Sequence, residues 1–507
     1  MARSESTLPS EPRGHARVIA AAVVPLVVLF ALFLADVRLG QPDLFYRFSP
    51  IASGRLYHAL PALLIAGVGT MGAFLGWSRG GGMGRAGRSV AVSCYIMLIG
   101  WTFVAPPFGI SGHVFNLESP SHEGAFVRES KHVHGVREYL AADYYDRLGK
   151  EPHEMRGRRV LSNPPGVTIA YYAIHQAVQS NPRLDSILSR VFGLTGEVDE
   201  PVDRQRFAAS LAMAVLFTVF WGAAVVTAYH LCRLWLTEPA AIAVAFACVF
   251  NPSTVNFTPG KDPAQMLSVL AILAGWLTAY VRGRPWWAFA AGVIGTAATM
   301  VGLIHVWIFA IVAAATLWHA LRGSVGIGRW MKGCCLPCAC GACFVALTAW
   351  VCLDWNIIKT TIRVAIRFGE IQMPVITDPF HWTLVGVPLF CLFVGPMFWV
   401  LLTVDRRREV DDAGSLGLNL IVAAAAVMAY AYFFANNSET PRLWMPFIPL
   451  LLVPMALRRT IFRRQSKADH VFFAMLIGLQ SAVTVLHWTM MDVRETEYRL
   501  TTGRMWD

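Results

Sequence analysis

Runs of about 17 to 25 residues with almost no charge recur along the whole length of this chain. Nothing else in it constrains the fold as much, because a helix of that length matches the roughly 30 Å hydrocarbon core of a bilayer. The runs fall near 18–35, 57–77, 89–110, 207–235, 239–254 and 265–281, and again near 333–353, 382–404, 415–435, 442–457 and 470–489. Between them lies a continuous block from 286 to 321, too long for one helix, which is expected to form two that meet around Gly302 to His305. The expected fold is therefore an all-α polytopic membrane protein with about thirteen transmembrane helices. Composition agrees: 55% of the residues are hydrophobic and 15% charged, with a mean hydropathy of +0.49. An ordinary soluble domain is about 25% charged, so a soluble enzyme is excluded.

The net charge of +11 does not point to nucleic acid, because the basic residues sit in short clusters between apolar runs. Lys and Arg mark cytoplasmic connections, and the clusters do fall on alternate ones. They are Arg13 and Arg17; Arg79, Arg85 and Arg88; Arg233; Arg282 and Arg284; Arg322, Arg329 and Lys332; Arg406 to Arg408; and Arg458, Arg459, Arg463 and Arg464. This predicts a cytoplasmic tail at 1–17, whose following run is an uncleaved anchor, and a first group of spans at 18–110. An outer loop follows at 111–206, then spans at 207–353, an outer connection at 354–381, spans at 382–489 and an outer tail at 490–507. The expected location is a bacterial-type plasma membrane, crossed many times, with membrane lipids as neighbours. The segment PPGVTIAYYAIHQAVQ (164–179) is expected to be a short juxtamembrane helix on the outer face, since counting it as a span would reverse every later cluster.

Ten cysteines do not make a disulfide framework here, because most lie inside apolar runs and suit packing. Cys335 with Cys338, and Cys340 with Cys343, have the spacing of a zinc or redox site. They would lie in a span with no His, Asp or Glu beside them, so packing is again the expected role.

The candidate chemistry is concentrated in the outer segments. The loop carries Glu118, Glu123 and Glu129, then VHGVREYLAADYYDRL, whose Val136, Leu140, Tyr144 and Leu148 recur every four residues and suit a helix on the membrane surface. Its His132, His134 and His153 match no tight metal-ligand pattern. His175, His305 and His487 are read as hydrogen-bonded structural residues. NPSTVNFTPGKDPAQ places Lys261 and Asp262 at a span end, and NNSETPRLWMPFIP places Glu439 and Arg442 just before another. In 354–382, Lys359, Arg363 and Arg367 are four apart and so share one helical face, read either as a site for an anionic lipid phosphate or as a solvated surface helix. No P-loop, Gly-rich phosphate loop or G-x-S-x-G elbow is present.

Taken in order, these features resemble the GT-C superfamily of polyprenyl-phosphate-sugar-dependent membrane glycosyltransferases, over about 89 to 460. The residues that carry the likeness are the loop with early carboxylates, SNPPG (Ser162, Asn163, Pro164, Pro165, Gly166) opening a short helix in the manner of an H-P-P-G motif, NPSTVNFTPGKD at an outer span end, and ETPRLW. Asn163 stands where many relatives have His, and the loop offers Glu where Asp is common. The resemblance implies transfer of a sugar from a polyprenyl-phosphate donor to a lipid, glycan or protein acceptor on the outer face. Glu123 is the expected base, with Glu118 next. Lys261 and Arg442, with Arg363 and Arg367, would receive the phosphate beside Asn163, Pro164 and Pro165. Asp262 would orient Lys261 or hold a divalent cation. The alternatives are a secondary transporter of a small or amphipathic solute, and an inert membrane scaffold with the same fold.

Overall fold

Hydrocarbon offers no water to an open N–H or C=O, so a spanning segment must satisfy its backbone within itself, as a helix does. The computed structural model describes residues 12–35, 38–41, 44–48, 56–78, 94–101, 114, 117–118, 123–149, 158–191, 201–323, 326–372, 379–404, 411–434, 440–463 and 467–492. Among these the chain is helical apart from short connections and three short strands. The first elements are α1 (Pro12–Leu34), β1 (Arg38–Gln41), β2 (Leu44–Phe48) and α2 (Leu56–Ser78). The outer-loop region contributes α3 (Gly124–Ser130), α4 (136–148, with a π turn at Tyr139–Asp143), α5 (Arg158–Leu161), α6 (Gly166–Ser180) and α7 (Pro182–Val191). Next come α8 (Pro201–Cys232), α9 (Glu238–Val249), α10 (Pro252–Asn256), α11 (Lys261–Arg282), α12 (Pro285–Ala298), α13 (Ile304–Leu321) and α14 (Ile327–Leu353). The last are α15 (Ile357–Gln372), α16 (Pro379–Val394), α17 (Pro396–Thr403), α18 (Asp412–Phe434), α19 (Thr440–Leu443), α20 (Ile448–Leu457), α21 (Lys467–Met490) and β3 (Met491–Asp492).

Seven described stretches are long and apolar enough to cross a membrane: Arg204–Cys232, Glu238–Asn256, Lys261–Arg282, Ile304–Leu321, Ile327–Leu353, Asp412–Tyr430 and Asp469–Met490. The pair Gly386–Val394 and Pro396–Thr403, bent by 97°, makes an eighth if it is one span. The predicted count of about thirteen is not reached on this measure, because several predicted runs form short helices. α12 has 14 residues and α20 ten, which at 1.5 Å per residue span only about 21 and 15 Å. The predicted span at 89–110 is described only over 94–101.

α9 lies at the centre, buried along its length and packed on α8, α20 and α21, while α11 packs between α8, α12 and α13. α14 is peripheral, with 17% of its apolar window buried, and is held mainly by α12. Their crossing is closed by glycines: a Cβ on Gly292 would lie 2.1 Å from the Cys338 carbonyl, and one on Gly341 2.2 Å from that of Phe289. Small residues at such crossings let helix backbones approach where no hydrophobic effect drives them together.

Two predicted features differ in the structure. The run at 382–404 reads as one span, but Gly395 (φ 88°) and Pro396 break it into α16 and α17. The buried Gln480 of α21 closes this break: its amide donates to the carbonyls of Val394 (3.3 Å) and Phe250 (3.2 Å) and accepts from the Met397 N–H (3.1 Å). One side chain thereby meets the open backbone groups of α9 and of the α16–α17 junction. The second difference concerns α4, whose Leu140, Tyr144 and Leu148 are buried against Trp355, Ile357 and Val364 at the start of α15. The four-residue stripe does mark a buried face, but protein covers it. On α15 it is Ile358, Ile362 and Ile366 that stay exposed.

Candidate active site

The site begins where α9 ends. Asn251, fully buried, caps α10 by accepting from the Thr254 N–H (3.0 Å), while Thr254 Oγ1 accepts from the Asn251 N–H (3.3 Å). This reciprocal cap fixes the chain direction into Gly260 and the first turn of α11. A side chain at Gly260 would crowd the Phe257 carbonyl (3.1 Å), while Glu123 Oε1 would stand in ordinary contact with it (3.5 Å). Glu123 Oε1 accepts from the Lys261 backbone N–H at 3.4 Å, at a helix N-terminus where negative charge is favoured. The residue is 2% exposed, and its other oxygen, Oε2, is buried with no hydrogen-bond partner among the described residues. Orphaned buried acceptors are rare in native proteins and call for an explanation.

Lys261 and Asp262 diverge from this point. The Lys261 ammonium, nearly fully buried, donates to Asn163 Oδ1 and to the Val301 carbonyl (3.5 Å), and lies 5.4 Å from the centre of the Phe126 ring. Asp262 instead accepts from Arg442 Nε at 2.5 Å. Arg442 is 6% exposed and stands 5.8 Å from the Phe257 ring. The structure thus pairs Asp262 with Arg442, whereas the sequence reading gave it either the orientation of Lys261 or a divalent cation. Among the described residues no group of three or more His, Cys, Asp or Glu could hold a metal ion.

Each residue of SNPPG has a local task. Asn163 Nδ2 donates to Ser162 Oγ (3.3 Å), and the Asn163 carbonyl accepts from Tyr144 Oη (2.9 Å), which fixes the amide that meets Lys261. Pro164 and Pro165 are buried, and Pro165 caps α6, a position where a missing N–H costs nothing. The Gly166 N–H donates to the Met300 carbonyl (2.7 Å), and a Cβ there would stand 2.5 Å from the same oxygen. The α6 helix lies against α3 and α8.

The structure therefore gathers Glu123, Asn163, Lys261, Asp262 and Arg442 around the first turn of α11. Glu118 is engaged elsewhere: Oε1 accepts from Ser210 Oγ, and Oε2 is ion-paired with Arg206 Nε, both at 2.9 Å. Burial pushes its carboxyl up, partly offset by the Arg206 charge and the Ser210 hydrogen bond. Arg363 lies over the Tyr145 ring (5.0 Å), beside Lys359 (4.8 Å). Arg367 donates to the Leu148 carbonyl (3.0 Å) and pairs with Glu370 (2.6 Å). These cations dock α15 on α4, a contact that spacing alone could not reveal.

His132 and His134 are exposed, while His153 and Glu439 lie outside the described residues. His175 meets Gln179 (3.2 Å), His305 meets Ser268 (2.7 Å), and His487 Nδ1 accepts from Asn256 Nδ2 at 2.8 Å. Two residues next to the site were missed in the sequence: Tyr144, read only as part of an apolar stripe, and Gln265. The signal for Gln265 was an amide one helical turn after Lys261 in an otherwise apolar run, since polar groups inside membrane helices are costly and face functional interiors. No family model matches the chain, and no curated protein is similar enough to stand as its relative.

Proposed function

We propose that this protein is a GT-C type membrane glycosyltransferase that moves a sugar from a polyprenyl-phosphate donor to a lipid, glycan or protein acceptor. In this reading the chain crosses a bacterial-type plasma membrane about thirteen times, its short helices completed by neighbouring segments. The gathered site faces outward and the arginine-rich connections face the cytoplasm. The observation that carries the proposal is Glu123: a buried carboxylate, held by one oxygen on a helix N-terminus, whose second oxygen has no partner among the described residues. Such an oxygen suits a general base. In the reaction, the bond from the sugar's anomeric carbon to the phosphate oxygen breaks and its electron pair stays on the phosphate. The acceptor oxygen bonds to the anomeric carbon, and its proton passes to Glu123 Oε2. The sugar centre is oxocarbenium-like at that moment, and the positive ends of Lys261 and Arg442 favour the charge growing on the leaving phosphate.

The test is sugar transfer by the full chain in liposomes containing a polyprenyl-phosphate-linked sugar. Glu123→Gln is expected to lower the rate about 10²- to 10⁴-fold, the usual contribution of a general base, with an unchanged melting temperature. Undiminished transfer by that variant rules out Glu123 as the base.

The transporter reading draws on a separate observation, the two broken helices that meet at Gln480, since transporters bind ions at such breaks. Gln480 itself occupies the freed carbonyls of Phe250 and Val394, which favours a structural role for them. Solute flux in the same liposomes, with no lipid-linked sugar consumed, would reverse the preference.

A further inference from the structure

On α11, Lys261, Gln265 and Ser268 follow at i, i+4 and i+7 and so share a face. Lys261 reaches the Val301 carbonyl (3.5 Å), and Gln265 lies against the next residue, Gly302. A Cβ on Gly302 would stand 2.7 Å from Gln265 Oε1 and 3.1 Å from Nε2, so the amide rests over a bare Cα. The turn it faces is fixed from the other side: His305 Nδ1 donates to the Gly302 carbonyl (2.8 Å) and His305 Nε2 is bonded to Ser268 Oγ (2.7 Å). Both nitrogens of His305 are thus committed. Gln265, 6% exposed, has a side-chain amide with no hydrogen bond to any described residue. It stands one helical turn from the end of α11 that holds Glu123.

A buried amide carries two N–H donors and a carbonyl acceptor, and native structures rarely leave such groups unmet. Its natural complement is a group that both donates and accepts. A sugar hydroxyl does both, whereas a phosphate oxygen only accepts, and Lys261 and Arg442 already supply charge for the phosphate. We propose that the Gln265 amide reads a hydroxyl of the sugar being transferred and is the specificity-determining residue of the site. This rests on the transferase reading given above. The position of Gly302 is part of the device, since any larger residue there would push the amide off its axis.

The experiment uses the full chain in liposomes, with short-chain polyprenyl-phosphate pentoses and hexoses as donors, each compared with analogues lacking one ring hydroxyl. The unaltered protein is expected to disfavour one deoxy analogue by roughly tenfold in kcat/KM, the worth of one well-made hydrogen bond. Gln265→Leu should lose about as much on the complete donor and become indifferent to that one deletion, while keeping its penalties at the other hydroxyls. Gly302→Ala, which displaces the amide without removing it, should show a partial loss at the same hydroxyl and covers the case in which Gln265→Leu fails to fold. If sugar is transferred and both variants keep the full penalty at every hydroxyl, the assignment to Gln265 is wrong and the transferase reading stands. If the unaltered protein consumes none of these donors, both fall together.

Discussion

Arg442 and Asp262 form a close ion pair between residues 180 positions apart, with Arg442 buried and Asp262 only one-fifth exposed. Such a pair adds little net stability over an apolar substitute, but breaking it from one side strands a charge. Asp262→Asn is therefore expected to destabilise the protein by about 3 kcal/mol, read as a fall in melting temperature in detergent. The double variant Asp262→Leu with Arg442→Met should recover most of that loss, and strictly additive losses would contradict a direct pair. At this scale the sequence was legible in part. Lys261, Asp262 and Arg442 could be picked out because charged residues stood at the ends of apolar runs, and Glu123 and SNPPG through the resemblance to a family. Their pairing could not, because Asp262 chooses between Lys261 beside it and Arg442 far along the chain by backbone geometry that no local pattern encodes.

Among the elements, α14 shows how a helix with little buried surface is held in place. Its contact with α12 depends on two glycines set against backbone carbonyls, and rigid backbone cannot make room for a methyl group. Gly341→Ala is expected to lower stability by about 1 to 3 kcal/mol, the cost typical of overpacking, and to speed limited proteolysis around 322–332. A variant as stable and as resistant as the parent would mean that the crossing is looser than described. The cysteines of this helix divide accordingly: Cys338 is buried and Cys335 half-buried, while Cys340 and Cys343 are exposed. Helix existence and the break within 286–321 were readable from apolar run length, and α12 and α13 do part at 299–303. The bend at Gly395 and the cover on α4 were not, because hydropathy records that a face is apolar without recording which neighbour claims it.

Over the whole molecule, tertiary contacts sort the connections into two ends. At one end the Thr237 N–H donates to the Phe462 carbonyl, Arg463 pairs with Asp411, and His319 lies 3.1 Å from the Asp412 carbonyl. At the other end are the Asn163–Lys261, Asp262–Arg442, Leu148–Arg367 and Gly166–Met300 contacts. The connections that carry Arg233, Arg322 and Arg458 to Arg463 thus meet at one end; which side of the membrane that end faces belongs to the proposed topology. An impermeant maleimide is expected to label His132→Cys in intact cells and Arg322→Cys only after permeabilisation; labelling of both from one side would refute the sorting. The β1–β2 hairpin, antiparallel with Arg38 opposite Arg47, adds β3 to its edge through Arg47 and Asp492, while α21 packs along α2. The main partner of α2 is therefore a helix much later in the sequence. Between the two, nearly four hundred residues must be made, on the order of tens of seconds at ordinary ribosome speeds. Until α21 is made, α2 has its early neighbours Cys94 and Tyr95 against Gly69 but lacks its largest contact, so the α2–α21 packing and the β2–β3 pairing are expected to form only after most of the described chain has been synthesised.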